Sequence, residues 1–299
     1  MQPQKLAWQS KLILWLVIAP AAVNVAWEVY SQSTSALNAV LWNLGLSALL
    51  GLAAWLSRSA TPAAAATGAL ICANLMFSTS ENDPYRPWQT ALMPVLAVLV
   101  LTSLATRFGR KRKERLGTAE EKHGRVSAQV CANLGFASLV CLVEYGAVLT
   151  GRESTIFPNA PGEALANSVI AAFAFASLAE AAADTVSSEI GQVLGGQPYM
   201  ITTLRRAAPG TDGAVSIAGT LAGVLAACIV AGVGTLVLEH DWKVFVVIGA
   251  GGTFGLLFDS LLGATLERKG YLNNDAVNFL STISAAVFAL SLSLTLPNS

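Results

Sequence analysis

Nine apolar runs, each near the length that crosses a bilayer, leave this chain very few folds. They fall at about 11–30, 36–56, 62–79, 88–107, 126–150, 163–190, 214–238, 243–265 and 275–296. A spanning helix needs about 20 apolar residues, and inside lipid the backbone must satisfy its own hydrogen bonds. Only 12% of the 299 residues are charged, against about 25% in an average soluble domain. The mean hydropathy is +0.57. The expectation is an all-α, polytopic transmembrane helical bundle of about nine spans, with no soluble domain between them. The third run, PAAAATGALICANLMF, is the shortest and least certain to span.

Lysine and arginine orient such a bundle, because they concentrate in cytoplasmic loops. With nine spans and a cytoplasmic N-terminus, fifteen of the 18 fall on inner segments. Arg86, Arg152 and Lys243 fall outside. The segments 107–125 and 191–213 are thus expected to face the cytoplasm from the inner membrane. Lys5 and Lys11 precede the first run without a clear small-residue cleavage site, so a retained helix is expected rather than a signal peptide. The net charge is zero and gives no reason to expect a nucleic-acid partner. Cys72, Cys131, Cys141 and Cys228 sit in apolar runs and form no C-x-x-C pair, so they read as small buried hydrophobes. His123 and His240 lie in loops without zinc spacing. No Walker A sequence, GxGxxG or Ser-His-Asp arrangement is present.

Against this background the segment from Glu180 to Gly213 stands out. Glu180, Asp184 and Glu189 follow an apolar helix built for lipid. One carboxylate at the centre of a membrane helix costs about 2.5–3.5 kcal/mol. Glu180 and Asp184 are four residues apart and share a helix face. Glu189 points elsewhere unless the helix bends. Thr202, Thr203, Arg205 and Arg206 follow, then Gly210, Thr211 and Gly213 in the loop PGTDG. Asp259 in GLLFDSLLGATLE and Asp275 in YLNNDAVNFLST bring the carboxylates toward the inner half of the membrane to five. One of Asn273, Asn274 and Asp275 is expected to cap the last helix; Asn278 lies a turn beyond Asn274 on the same face. Acids, cations, hydroxyls and glycines together suit a phosphate handled through a divalent cation. Mg²⁺ usually takes one or two carboxylates and completes its shell with water and substrate phosphates. Asp184, Glu180 and Asp259 are the expected metal ligands.

The segment 107–125 is the most basic in the chain. It reads either as a positive-inside anchor or as a contact for phosphates. Arg125, Gln129 and Asn133, spaced by four, extend it as a polar stripe into the fifth run. Glu28 and Glu144 read as interfacial or paired. The spacings Gly219-x-x-x-Gly223 and Gly251-x-x-x-Gly255 read as close helix contacts.

These motifs carry a resemblance. SLATRFGRKRK, RVSAQVCANLG, LAEAAADTVSSEIG, ITTLRRAAPGTDGAVSIAGTLAG, DSLLGATLE and NNDAVNFLST stand in this order. With them the chain resembles the integral membrane proteins that include transmembrane protein 19 and the plant and cyanobacterial phytyl-phosphate kinase. The resemblance runs from about Gly68 to Leu290. Residues 1–60 then form helices outside it, and residues 61–299 the family's membrane domain with a cytoplasm-facing site. It implies a prenyl-phosphate kinase, which converts an isoprenyl monophosphate (phytyl- or geranylgeranyl-like) to the diphosphate. The donor would be a nucleoside triphosphate, CTP or ATP, with CTP favoured. Ala182, Ala214 and Asn273 depart from the family pattern, where Asn, Gly and Asp are common, and bear on substrate detail. The alternative is a transporter or flippase of a lipid phosphate or small anion, which also wants intramembrane carboxylates.

Overall fold

The computed structural model describes residues 6–34, 36–80, 85–118, 124–149, 163–238 and 242–296, with side chains except at 143–149 and 163–169. The side chain of Glu144, and both His123 and His240, lie outside the described residues. The helices are α1 (Ala7–Gln32), α2 (Leu37–Leu56), α3 (Pro62–Thr79), α4 (Leu92–Arg107) and α5 (Arg110–Leu116), then α6 (Ser127–Leu149), α7 (Glu163–Leu194), α8 (Ile217–Val237), α9 (Trp242–Leu262) and α10 (Asn274–Thr295). A 3₁₀ turn, Pro87–Gln89, precedes α4, and a π-helical turn, Gly263–Glu267, extends α9. Two short strands, β1 (Tyr199–Met200) and β2 (Ala214–Val215), pair antiparallel between α7 and α8, Tyr199 opposite Val215.

Every apolar run is a helix, and the protein is an all-α polytopic membrane protein. Among the described residues, seven helices are long and apolar enough to cross a bilayer, the third run included. The pair α4 and α5 makes an eighth if counted as one span, bent by 62°. The bend falls at Gly109, whose φ of +60° favours glycine. A Cβ there would meet Val193 Cγ2 at 2.5 Å, so glycine also lets α5 fold in against α7. The described apolar part of α6, Ser127–Leu142, is shorter.

The bundle is built around α7, which packs against α4, α6, α8, α9 and α10. Lipid supplies no hydrophobic drive between helices, so contact depends on close backbone approach. A Cβ at Gly223 would lie 2.8 Å from Ala183 O, and one at Gly219 2.7 Å from Ser187 O. Gly252 and Gly255 do the same for α9, where a Cβ would meet Ala179 and Glu180. The glycine spacings on α8 and α9 are therefore contact faces. Large apolar side chains such as Trp15, Leu49, Leu221 and Leu236 point outward, as lipid contact requires.

One end of the bundle gathers the polar links. Gln9 Nε2 of α1 donates to Tyr271 O at 2.9 Å, joining the N-terminal helix to the α9–α10 link. Thr61 N donates to Arg125 O at 2.9 Å, joining the α2–α3 link to the start of α6. Lys113 of α5 pairs with Glu189 of α7. These are the segments grouped on one side by the distribution of Lys and Arg.

Candidate functional site

A polar cavity of ≈320 Å³ opens at this end. α7 supplies Asp184, Thr185, Ser187 and Glu189; α6 and its approach supply Arg125, Gln129 and Asn133. Asp259, Ser260 and Glu267 come from α9 and its π turn, and Asn274 and Asn278 from α10. The fifth wall is the α7–α8 hairpin, with Gly210, Thr211, Asp212 and Gly213. The hairpin is seated by glycine. Gly213 has φ +73°, and a Cβ there would lie 2.3 Å from Ala264 N of the π turn. π turns in membrane and soluble helices are frequent at functional sites.

The carboxylates form a graded group. Asp184 and Asp259 line the cavity. Glu180 lies behind them, 1% exposed, against Gly255 of α9. The charges of Asp184, Glu180 and Glu267 all bear on Asp259, and those of Asp212 and Asp184 on Glu267. Arg125 offsets Asp184 and donates from Nη2 to Thr185 Oγ1 at 3.3 Å. Both carboxylate oxygens of Glu180 and Oδ2 of Asp259 are sealed from solvent without a hydrogen-bond partner. Ser281 faces both acids and also lies 2.8 Å from Asn278 O, so one hydroxyl serves all three. Buried carboxylates left in this way are costly as anions unless a positive charge joins them or they take up a proton.

Among the described residues, no three of His, Cys, Asp and Glu converge into a metal-holding group of their own. The donor set therefore does not fit a cation that needs an all-protein cage. It fits Mg²⁺, which accepts one or two carboxylates and takes its remaining oxygens from water and phosphate. Of the three expected ligands, Asp184 and Asp259 line the cavity and Glu180 is buried behind it, so the three do not form one metal-holding group.

Other expected residues are distributed differently. α7 stays unbroken to Leu194, so Glu189 turns toward α5 and pairs with Lys113 while still reaching the cavity wall. Lys113 is 1% exposed and also donates to Ala105 O at 3.1 Å and Thr106 O at 2.6 Å. It is thus no interchangeable member of a basic anchor. Thr202, Thr203, Arg205 and Arg206 are exposed in the hairpin and are not wall residues. Asp275 accepts from Ser10 Oγ at 2.6 Å and faces α1. Asn273 caps α10, accepting from Ala276 N at 2.9 Å. Asn278 reaches Asn133 Oδ1 at 3.4 Å, so the polar stripe of α6 meets that of α10. Glu28 is buried away from the cavity and accepts from Gln32 Nε2 at 2.7 Å.

Glu267, Asp212, Ser187 and Gln192 also line the cavity, and sequence reasoning had not singled them out. Glu267 closes the quoted motif DSLLGATLE, but eight residues from Asp259 is about 2.2 turns of a regular α-helix, about 80° away from its face, so the spacing alone gave no shared wall.

Comparison with known proteins gives the family. The family described as integral membrane protein DUF92 matches residues 45–286, which contain every motif of the resemblance. An uncharacterized membrane protein of Methanocaldococcus jannaschii is 46% identical over 120 residues, 40% of this chain and 50% of that protein. An uncharacterized membrane protein of Synechocystis is 32% identical over 70% of this chain and 75% of its own length. The chloroplastic protein VTE6 of Arabidopsis thaliana is 30% identical over 66% of this chain and 56% of its own length. The chain thus spans about half the length of the archaeal and plant relatives. No solved structure matches it.

Proposed function

This chain belongs to the DUF92 family of integral membrane proteins, and on that premise we propose that it is a prenyl-phosphate kinase. It would transfer the terminal phosphoryl group of a nucleoside triphosphate, CTP or ATP, to an isoprenyl monophosphate. An oxygen of the lipid phosphate attacks the γ-phosphorus, the bond to the nucleoside diphosphate breaks, and a lipid diphosphate forms.

The observation that carries this reading is the cavity's wall. It sets acids from α7 and α9 opposite Arg125 and a glycine-bearing hairpin, at one end of a membrane bundle. Phosphoryl transfer asks of a protein mainly positioning and charge neutralisation. Arg125 would hold the acceptor phosphate, its planar fork suiting two oxygens at once. The segment Pro209–Gly213 lets backbone approach the donor phosphates closely. Bound Mg²⁺ would neutralise charge on the transferring oxygens, held by Asp184 and Asp259. The family resemblance to phytyl-phosphate kinase supports the lipid half of the substrate. A terminal cavity favours the kinase over a transporter, whose site belongs near the midplane between repeats. The cavity would face the cytoplasm, from the cytoplasmic membrane.

The test is direct. Purified protein is given geranylgeranyl or phytyl phosphate with Mg²⁺ and either CTP or ATP, and the lipid products are separated. A nucleotide-dependent lipid diphosphate is expected. Its absence with every pairing of lipid and nucleotide rules the proposal out.

A further inference from the structure

Beside the polar cavity lies a second one, of ≈90 Å³ and apolar. Its walls include Leu50 and Ala54 of α2, Ala64 and Gly68 of α3, and Val98 and Leu99 of α4. Arg125 and Asn133 face both cavities, so the polar chamber ends where the apolar slot begins. From Val95 to Thr102 the slot follows α4 for roughly 10 Å at 1.5 Å per residue. The rim helices pack elsewhere, α2 on α3 and α4 on α7 and α8, and make no extensive contact with each other.

The slot is open because its lining is small. At a packing glycine a neighbour already fills the space: a Cβ on Gly51 would lie 2.7 Å from Ala65 O. Gly68 differs, since a Cβ there meets only Val130 Cγ1, at 3.9 Å. An apolar void beside a polar chamber costs stability unless something apolar fills it. We infer that this slot binds the first part of the isoprenoid tail of a single-chain lipid monophosphate, whose phosphate lies at Arg125 and whose remaining tail leaves between α2 and α4. A volume of ≈90 Å³ leaves room for part of one chain and not for the paired chains of an ordinary phospholipid. The inference rests on the kinase reading for the headgroup alone.

The test uses the full chain in detergent and farnesyl monophosphate carrying a diazirine at its distal end. After irradiation, peptide mapping is expected to find adducts on α2 and α4. Gly68→Leu and Leu99→Trp fill the slot from opposite walls and should each cut labelling about tenfold or more, with thermal unfolding checked alongside. Unlabelled farnesyl phosphate should compete and dioleoyl phosphatidic acid should not. Adducts on the lipid faces of α8 and α9, labelling that survives both substitutions in folded protein, or equal competition by phosphatidic acid would each overturn the slot. Phosphoryl transfer is scored separately. A labelled slot without transfer would sink the kinase and keep the slot; transfer with adducts elsewhere would do the reverse.

Discussion

Asp184 meets the cavity, whereas Glu180, one turn earlier, is sealed behind it. The residue scale thus separates a carboxylate whose charge is presented to the cavity from one held behind it. Asp184→Asn keeps size and removes that charge. Activity should fall about 100-fold or more, as when other preorganised electrostatic contacts are deleted. Insertion and yield should persist, and the rise in melting temperature given by Mg²⁺-nucleotide should vanish. Retention of both that rise and the activity would remove Asp184 from the site. Arg125 is the cation among the described wall residues, and Arg205 and Arg206 are exposed outside it. Arg125→Ala should therefore cost more activity than Arg205→Ala or Arg206→Ala. Equal losses would mean that the hairpin folds over substrate. Lys113→Ala removes the cation buried against Glu189, and breaking a buried pair costs about 3–5 kcal/mol. Lys111→Ala and Arg112→Ala should leave unfolding nearly unchanged. The acid pair at 180 and 184 and the stripe at 125, 129 and 133 were legible because helix periodicity fixes a shared face. Lys113 was not, because its partner lies 76 positions away and three neighbours of the same charge look alike in a sequence.

At the scale of the element, the α7–α8 hairpin and the π turn of α9 make one wall together. Gly196 and Gly213 both have positive φ, but a Cβ on Gly196 meets nothing within 4 Å, and one on Gly213 runs into Ala264. Alanine at either position carries a left-handed backbone penalty of about 1–2 kcal/mol. Gly213→Ala must also push the hairpin off the π turn. It should lose most activity, while Gly196→Ala loses stability alone; similar kinetics for the two would show that the hairpin's seat does not matter. The helical runs were legible because length and apolarity decide them in lipid, although among the described residues seven, or eight with the bent pair, are long and apolar enough to span, against the nine expected. The bend between α4 and α5 was not, because Gly109 reads as an ordinary loop glycine until Val193 is seen against it. The strand pair was also hidden, being set by two residues on each side.

At the scale of the whole molecule, the polar links and the polar cavity share one end of the bundle, the end richest in Lys and Arg. The grouping of these segments at one end was legible from that charge alone. The cavity's assembly was not, since its walls come from five segments between Arg125 and Asn278. Cysteines placed at Arg110 and Leu204, both exposed, should resist an impermeant maleimide in intact cells and react after permeabilisation; reaction in intact cells would invert the bundle. The measurement that bears most directly on the function uses proteoliposomes of known orientation, loaded with geranylgeranyl phosphate and given γ-labelled nucleotide on the cavity side. The kinase account predicts that label enters the lipid in step with nucleoside diphosphate release, and that Asp184→Asn abolishes both. Movement of unmodified lipid phosphate across the bilayer, with no label in lipid and no nucleotide consumed, would contradict it.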